Sequence, residues 1–286
     1  MNKVGIVVKH KEKEALDLAK ELMGWLQARK KEVMIDQELA DSANFPQGLP
    51  VGEIPSQADL LIVLGGDGTL LKAVRITGDR NVPILGVNLG NLGFLTEITR
   101  EELYSALEEI FAGKFHLDQR MKLKSQVWRK DKLAEEHSVL NDIVISKGGV
   151  ARLFELETYI DGSYLTTFRA DGLILCTPTG STGYTLAATG PIVHPHLPSI
   201  TITPICPHIL TSRSIVVPSA STIQVILKPE EKDLILTLDG QLSFSLRPSD
   251  KIVVKESQTN VCLIKSSHRD YFQVLRTKLR WKEVND

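Results

Sequence analysis

The sequence predicts an α/β unit followed by an all-β unit, and three observations carry that prediction. Apolar runs alternate with amphipathic helical stretches over the first hundred residues, and after Gly113 the helical period gives way to short β-rich runs. Asp161-Gly162 and Asp239-Gly240 then stand between such runs as hairpin signals. A length of 286 residues allows two cores that need no disulfide or metal staple.

The first strand is Val4 to Val8, followed by a helix from about Lys13 to Arg29 that sets Ala15, Leu18, Ala19, Leu22 and Leu26 on one face. Val33 to Ile35 makes the next strand. From Glu38 to Gln57 the chain carries Pro46, Pro50 and Pro55 with no hydrophobic period, which predicts a long loop. Five aliphatic residues, Leu60 to Leu64, read as a strand buried on both faces of a parallel sheet. The glycines of Gly65-Gly66-Asp67-Gly68 stop it, and Thr69 to Ile76 is apolar at helical spacing. Pro83 to Val87 is another strand. A helix over about Arg100 to Ala112 has Thr99 and Glu102 at capping-box spacing, a stripe of Leu103, Leu107, Ile110 and Phe111, and Gly113 placed to end it.

The β-rich runs are Leu123 to Trp128, Val139 to Ile145, Phe154 to Ile160, Leu173 to Cys176, Ile200 to Thr203 and Ile215 to Val217. Ile223 to Leu227, Leu234 to Leu238, Ile252 to Val254 and Val261 to Ile264 complete them. The tail from Tyr271 to Trp281 returns to a helical pattern with Phe272, Leu275 and Leu279 in one stripe. The expected organisation is an α/β domain over residues 1–113, a β-rich domain over 114–266, and a helical segment, 267–286, that packs on the first domain.

A formal net charge of -1 with no long basic run gives no footprint for nucleic acid and favours small-molecule partners. Three widely spaced cysteines in apolar contexts read as reduced core thiols rather than bridges. Val4 to Val8 is too short for a signal-peptide core, and no stretch of about 18 apolar residues occurs. A cytoplasmic protein without a membrane partner is expected.

Three clusters carry chemistry. In the first, the strand Leu60 to Leu64 delivers Asp67 into a glycine turn that opens a helix, where unpaired amides and the positive dipole end favour an anion such as phosphate. A carboxylate there serves as a metal ligand or as a general base toward an alcohol, or simply caps the helix. Lys72, one turn further on, is placed to reach a phosphate. In the second, Asn141 and Asp142 interrupt the apolar run Val139 to Ile145, which is costly unless both find partners. Ribose hydroxyls would serve, and a β-bulge or edge position open to water is the alternative. In the third, Arg169-Ala170-Asp171-Gly172 precedes a buried strand that runs into Thr177-Pro178-Thr179-Gly180-Ser181-Thr182-Gly183-Tyr184, a loop dense in small donors. Tyr184 adds a flat surface for a base. His194 and His196 flank a proline without a nearby cysteine or acidic partner, so a structural zinc site lacks its usual spacing, and His208 reads as a turn residue. P-loop, zincin and nucleophile-elbow motifs are absent.

Taken jointly, these three clusters, with Gly190-Pro191-Ile192 and Pro204-Ile205-Cys206-Pro207-His208, closely resemble the NAD kinase family of bacterial type over almost the whole chain. The Gly-Gly-Asp-Gly-Thr turn alone is shared with diacylglycerol-type lipid kinases and phosphofructokinases; Thr-Pro-Thr-Gly-Ser-Thr after Asp-Gly is far more selective. The resemblance implies an N-terminal Rossmann-like parallel-sheet domain and a C-terminal β-sandwich-like domain. It implies transfer of the ATP γ-phosphoryl group to the 2′-hydroxyl of the adenosine ribose of NAD, with a divalent cation (Mg²⁺), in a homodimer or homotetramer. By the same resemblance Asp67 is the general base, Gly68 lines its turn, Asn141 and Asp142 contact the nucleotide, and Asp171 contacts the nicotinamide side. Thr182, Gly183, Tyr184, Thr185, Leu186 and Ala187 pack on the dinucleotide, Arg152 and Arg169 line its site, and Gln241 completes it. Two positions depart from many relatives: Asp142 stands where glutamate is common, and Arg169 where some have glycine, at a position linked to the choice between NAD and NADH. NAD is the expected acceptor, although a cation beside the nicotinamide disfavours its charged ring. A lipid kinase and a non-catalytic NADP-binding sensor are the competing readings.

Overall fold

The computed structural model describes residues 1–9, 12–90, 92–148, 153–266 and 269–281. The chain divides into two units, Met1–Gln119 with Val261–Asp286, and Arg120–Asn260.

In the first unit, every residue of the strand Leu60–Leu64 is buried. It pairs in parallel with Lys3–Val8 on one side and Ile84–Asn88 on the other. The sheet runs in the order Glu32–Met34, Lys3–Val8, Leu60–Leu64, Ile84–Asn88, Val261–Ile264, Leu117–Arg120, with the short Ile98–Thr99 paired to Ile84–Asn88. Helices on both faces explain why its central strands are continuously aliphatic rather than alternating. Lys13–Ala28 and Leu103–Phe111 pack their apolar stripes against Leu60, Ile62, Leu64, Leu85 and Val87. The helix Asp67–Thr77 lies on the opposite face, where Gly86 lets it approach: a Cβ there would sit 2.7 Å from Leu70 Cδ1.

Four expectations are corrected in this unit. The stretch from Glu38 to Gln57 is not one long loop but holds two short helices, Gln37–Ala43 and Ile54–Gln57. The first is capped by the Asp36 carboxylate, which accepts from Leu39 N–H, and it buries Leu39 and Ala40; one apolar pair is too short to show a period. Val261–Ile264, grouped by its β propensity with the β-rich runs, instead joins the parallel sheet through Leu263 opposite Ile84. The third correction is at the C-terminal helix, Tyr271–Leu279, which belongs to this unit but buries Val274 and Leu275, leaving Phe272 exposed. It starts at a capping box of Asp270 and Gln273. The fourth is the 103–111 helix, which begins at Leu103 because Glu102 N–H and Leu103 N–H close i→i+3 turns onto Thr99 O and Arg100 O; the Glu102 carboxylate still accepts from Thr99 N–H, as one half of the expected capping box.

The second unit is a sandwich of two six-stranded antiparallel sheets. One is ordered Ser163–Ala170, Phe154–Ile160, Ile223–Leu227, Lys251–Glu256, Leu123–Arg129, Lys132–Val139. The other is ordered Ile215–Pro218, Ser199–Ile205, Gly172–Cys176, Asp142–Lys147, Leu234–Leu238, Leu242–Ser245. Their facing residues, among them Leu123, Val127, Ile143, Ile145, Phe154, Leu156, Leu173, Leu175, Val225 and Leu236, form one core. Asp161-Gly162 closes a hairpin with both residues at positive φ, 50° and 80°, as Asp239-Gly240 does at 49° and 63°. Cys176 and Cys262 are buried thiols, but Cys206 is exposed, so the expectation of three core cysteines is corrected: its strand Ser199–Ile205 ends one residue earlier.

Candidate active site

The first cluster is built at the end of Leu60–Leu64. Gly65 turns the chain at φ 152°, Gly66 is the N-cap, and Asp67 is the first residue of the helix Asp67–Thr77. The Asp67 side chain does not cap its own helix. Its carboxylate reaches into the segment that follows Ile84–Asn88: Oδ2 accepts from Phe94 N–H at 2.8 Å, and Oδ1 accepts from Leu95 N–H, Thr96 N–H and the Thr96 hydroxyl, each at 3.1 Å. Asn88 extends the chain of bonds, its Nδ2 donating to Thr96 Oγ1 at 2.8 Å while its Oδ1 accepts from Gly90 N–H. Gly93 makes room, since a Cβ there would overlap both Asp67 Oδ1 and Thr96 Oγ1. Gly93→Ala is therefore expected to expel the carboxylate and lower the thermal midpoint by roughly 2–8 °C, measured by calorimetry. Gly68 is exposed on the first turn of the same helix and Lys72 is half-buried on its second.

Asn141 and Asp142 do not sit in the middle of a strand. The strand Lys132–Val139 ends in one sheet and Asp142–Lys147 begins in the other, so the pair forms the corner between two sheets. The sequence is apolar on both sides of the pair, Val139-Leu140 before it and Ile143-Val144-Ile145 after it, so nothing in the pattern marks the change of sheet. The corner is held by Asp239, whose carboxylate accepts from Leu140 N–H at 3.0 Å, Asn141 N–H at 2.7 Å and Asp142 N–H at 3.1 Å. Asn141 is half-buried and Asp142 buried, more enclosed than an exposed edge position. Asp142 is 6% exposed, and the Asn141 carboxamide oxygen is buried without a hydrogen-bond partner among the described residues. Burial first, then the charge of Asp239, pushes the Asp142 carboxyl up to about 7.

That shift fixes a sign. A folded value near 7 against an ordinary 3.8 means the folded state binds the extra proton, so stability falls as pH rises from about 4 through about 7. Asp142→Asn is expected to remove this decline, becoming more stable than the parent at pH 8 by on the order of a few kcal/mol, with little difference near pH 4. Urea unfolding at both values measures it.

The loop after Gly172–Cys176 is folded down on this corner. Thr177 donates through N–H to Asn141 O and through its hydroxyl to Leu140 O, and its Oγ1 in turn accepts from Gly180 N–H. Ser181 Oγ bonds Pro178 O and Val193 on either side. Gly180 lies against Asn141 so closely that a Cβ would overlap the Asn141 carbonyl; a Cβ at Gly183 would sit 3.8 Å from both Asn141 Nδ2 and Asp142 Oδ2. Asn141, Asp142 and the Thr182–Ala187 segment are thus brought together, with Thr185 buried and Tyr184 half exposed. A cavity of about 590 Å³ opens beside Tyr184, lined by Ala187, Thr189, Pro204, Cys206 and Arg213 as well. Gln241 follows the Asp239-Gly240 turn, its N–H donating to Leu238 O. Asp171 joins the strands Ser163–Ala170 and Gly172–Cys176, and its N–H donates to Ile205 O. Arg169 is exposed directly across the ladder from Glu155. Arg152 lies outside the described residues.

Sequence reasoning missed Asn88, Gly93, Thr96 and Asp239. The Asn-Leu-Gly repeat of residues 88–93 was a signal available for the first two. Asp239 was visible only as a hairpin residue. Among the described residues, no three His, Cys, Asp or Glu side chains gather as a metal site, and no helix is long and apolar enough to cross a membrane.

Residues 4–115 match the family model described as the ATP-NAD kinase N-terminal domain, and residues 140–266 that of the ATP-NAD kinase C-terminal domain. The NAD kinases of Geotalea daltonii and Geobacter sulfurreducens are each 49% identical over 283 residues, spanning 99% of this chain and 100% of theirs. A solved yeast NADH kinase complexed with NADH superposes with a TM-score of 0.92 at 28% identity, covering 100% of this chain and 89% of that one. An NAD kinase from Archaeoglobus fulgidus in complex with ATP gives 0.77 at 25% identity, covering 97% and 98%. With both halves matched and relatives at nearly half identity along its length, this chain belongs to the NAD kinase family.

Proposed function

We propose that the chain transfers the γ-phosphoryl group of ATP to the 2′-hydroxyl of the adenosine ribose of NAD, giving NADP and ADP. The observation that carries this reading is the buried, unpartnered Asn141 carboxamide oxygen beside the buried Asp142 carboxyl. Leaving that oxygen without a partner costs about 1–3 kcal/mol, and a ligand rich in hydroxyls and amines removes that cost. Nucleotide contacts are assigned to Asn141 and Asp142, packing on the dinucleotide to the Thr182–Ala187 segment with Tyr184, nicotinamide-side contacts to Asp171, the lining of the NAD site to Arg152 and Arg169, and its completion to Gln241.

Asp67 takes the proton of the attacking 2′-hydroxyl. Its Oδ1 is occupied by three donors and its Oδ2 by one, so Oδ2 keeps a lone pair for that proton. Four donors also fix the carboxylate's direction before substrate arrives. Gly68 and Lys72 serve the phosphates at the helix N-terminus. A divalent cation such as Mg²⁺, held by the ATP phosphates, would supply charge neutralisation there. NAD is the acceptor, as the family resemblance implies. The protein works in the cytoplasm as a homodimer or homotetramer.

The test supplies ATP, Mg²⁺ and either NAD or NADH and follows the phosphorylated dinucleotide. NADP formation is expected; no product with NAD at saturating ATP overturns the reading.

A further inference from the structure

The Asp239 carboxylate accepts from three backbone amides of one corner, Leu140 to Asp142. In return Asp239 N–H donates to Asp142 O at 2.9 Å, so hairpin and corner are clasped from both sides. The three amides would otherwise be buried donors at a break between sheets, where no strand ladder can accept them. Their capture turns the chain so that Asn141 Nδ2 and Asp142 Oδ2 both face Gly183. We propose that Asp239 is the positioning residue of the ribose subsite, acting on the dinucleotide only through Asn141 and Asp142. The proposal rests on the assignment of those two residues to NAD.

Charge gives this clasp a second consequence. Among the described residues, the titratable groups facing Asp142 are Asp239 from the hairpin and the Cys176 thiol from the strand Gly172–Cys176. Burial pushes Cys176 up to about 12, so it stays neutral and Asp239 is the charge that Asp142 meets. Ribose hydroxyls donate to an ionised Asp142, so NAD binds better as pH rises through about 7; burial sets most of that midpoint and the Asp239 charge adds to it.

The experiment is calorimetric titration of the full chain with NAD between pH 5.5 and 8.5, for the parent and Asp239→Asn. Asparagine suits the positive φ of the turn but presents an amide N–H to one of the captured donors and removes the charge. The expected result is a loss of limiting affinity of about tenfold or more together with an acid shift of the midpoint, the ATP KM staying unchanged. Parent-like affinity and midpoint overturn the proposal. So does an affinity loss that tracks a lowered melting temperature with an unmoved midpoint, which is what a merely structural residue gives. If Asp239→Asn does not fold, carboxyl-carbon NMR of the parent decides: Asp142 and Asp239 must titrate as a coupled pair, and independent titration overturns it. Failure of the parent to bind NAD at any pH sinks the ribose-subsite assignment instead, and the carboxyl titration still reports on the clasp.

Discussion

Asp67→Asn is expected to lower the turnover number by roughly 10²- to 10⁴-fold while the NAD dissociation constant stays within about threefold of the parent. The substitution keeps one oxygen for Leu95, Thr96 and the Thr96 hydroxyl, so the cradle survives on that side. On the other side an amide replaces Oδ2, the atom with a free lone pair, and now meets Phe94 N–H donor to donor. Basicity is lost at the atom that needs it, whereas the residues assigned to nucleotide contact are elsewhere in the chain. Steady-state kinetics with a separate binding titration distinguishes this from misfolding. A variant retaining a tenth or more of parental turnover would rule Asp67 out as the base and leave it as a structural anchor for residues 94–96.

Gly180→Ala is expected to weaken NAD binding by roughly ten- to a hundredfold with the ATP KM little changed. The added methyl has nowhere to go, because what it meets is the Asn141 backbone, which is itself fixed by Asp239 below and by Thr177 N–H. Either the Thr177–Tyr184 loop lifts or the corner moves, and both separate Asn141 from Gly183. Gly24→Ala is the control: it lies within the helix Lys13–Ala28 with nothing within 4 Å of a new Cβ, and should be neutral or slightly stabilising. Parental NAD affinity in Gly180→Ala would show that the loop does not shape the subsite.

Much of the fold was legible because its signals are local. A buried parallel strand announces itself in Leu60 to Leu64, an amphipathic helix in Ala15 to Leu26, and hairpins in Asp161-Gly162 and Asp239-Gly240. Where the sequence reading went astray, the deciding contact was distant or the segment too short to show a period. Gln37–Ala43 depends on one cap and two buried residues, and Val261–Ile264 looks like any other β run until Leu263 is set beside Ile84. Asn141 and Asp142 showed as an energetic anomaly in an apolar run, but a run carries no mark of the point at which a chain leaves one sheet for another.

For the candidate site the division is sharper. Sequence alone picked out the residues proposed to bear the chemistry: a carboxylate in a glycine turn after a buried strand, an amide and an acid in an apolar run, and a hydroxyl-rich loop behind Asp171. These are statements about side-chain type and spacing, which the chain carries wherever it folds. Tertiary structure decided what holds them. Asp67 is aimed by amides of residues 94–96, the Asn141–Asp142 corner by Asp239, and the loop by the Asn141 and Leu140 carbonyls. Those partners are mostly backbone groups, which every residue possesses alike, so no spelling of the sequence sets them apart; only folding brings the right three amides to one carboxylate.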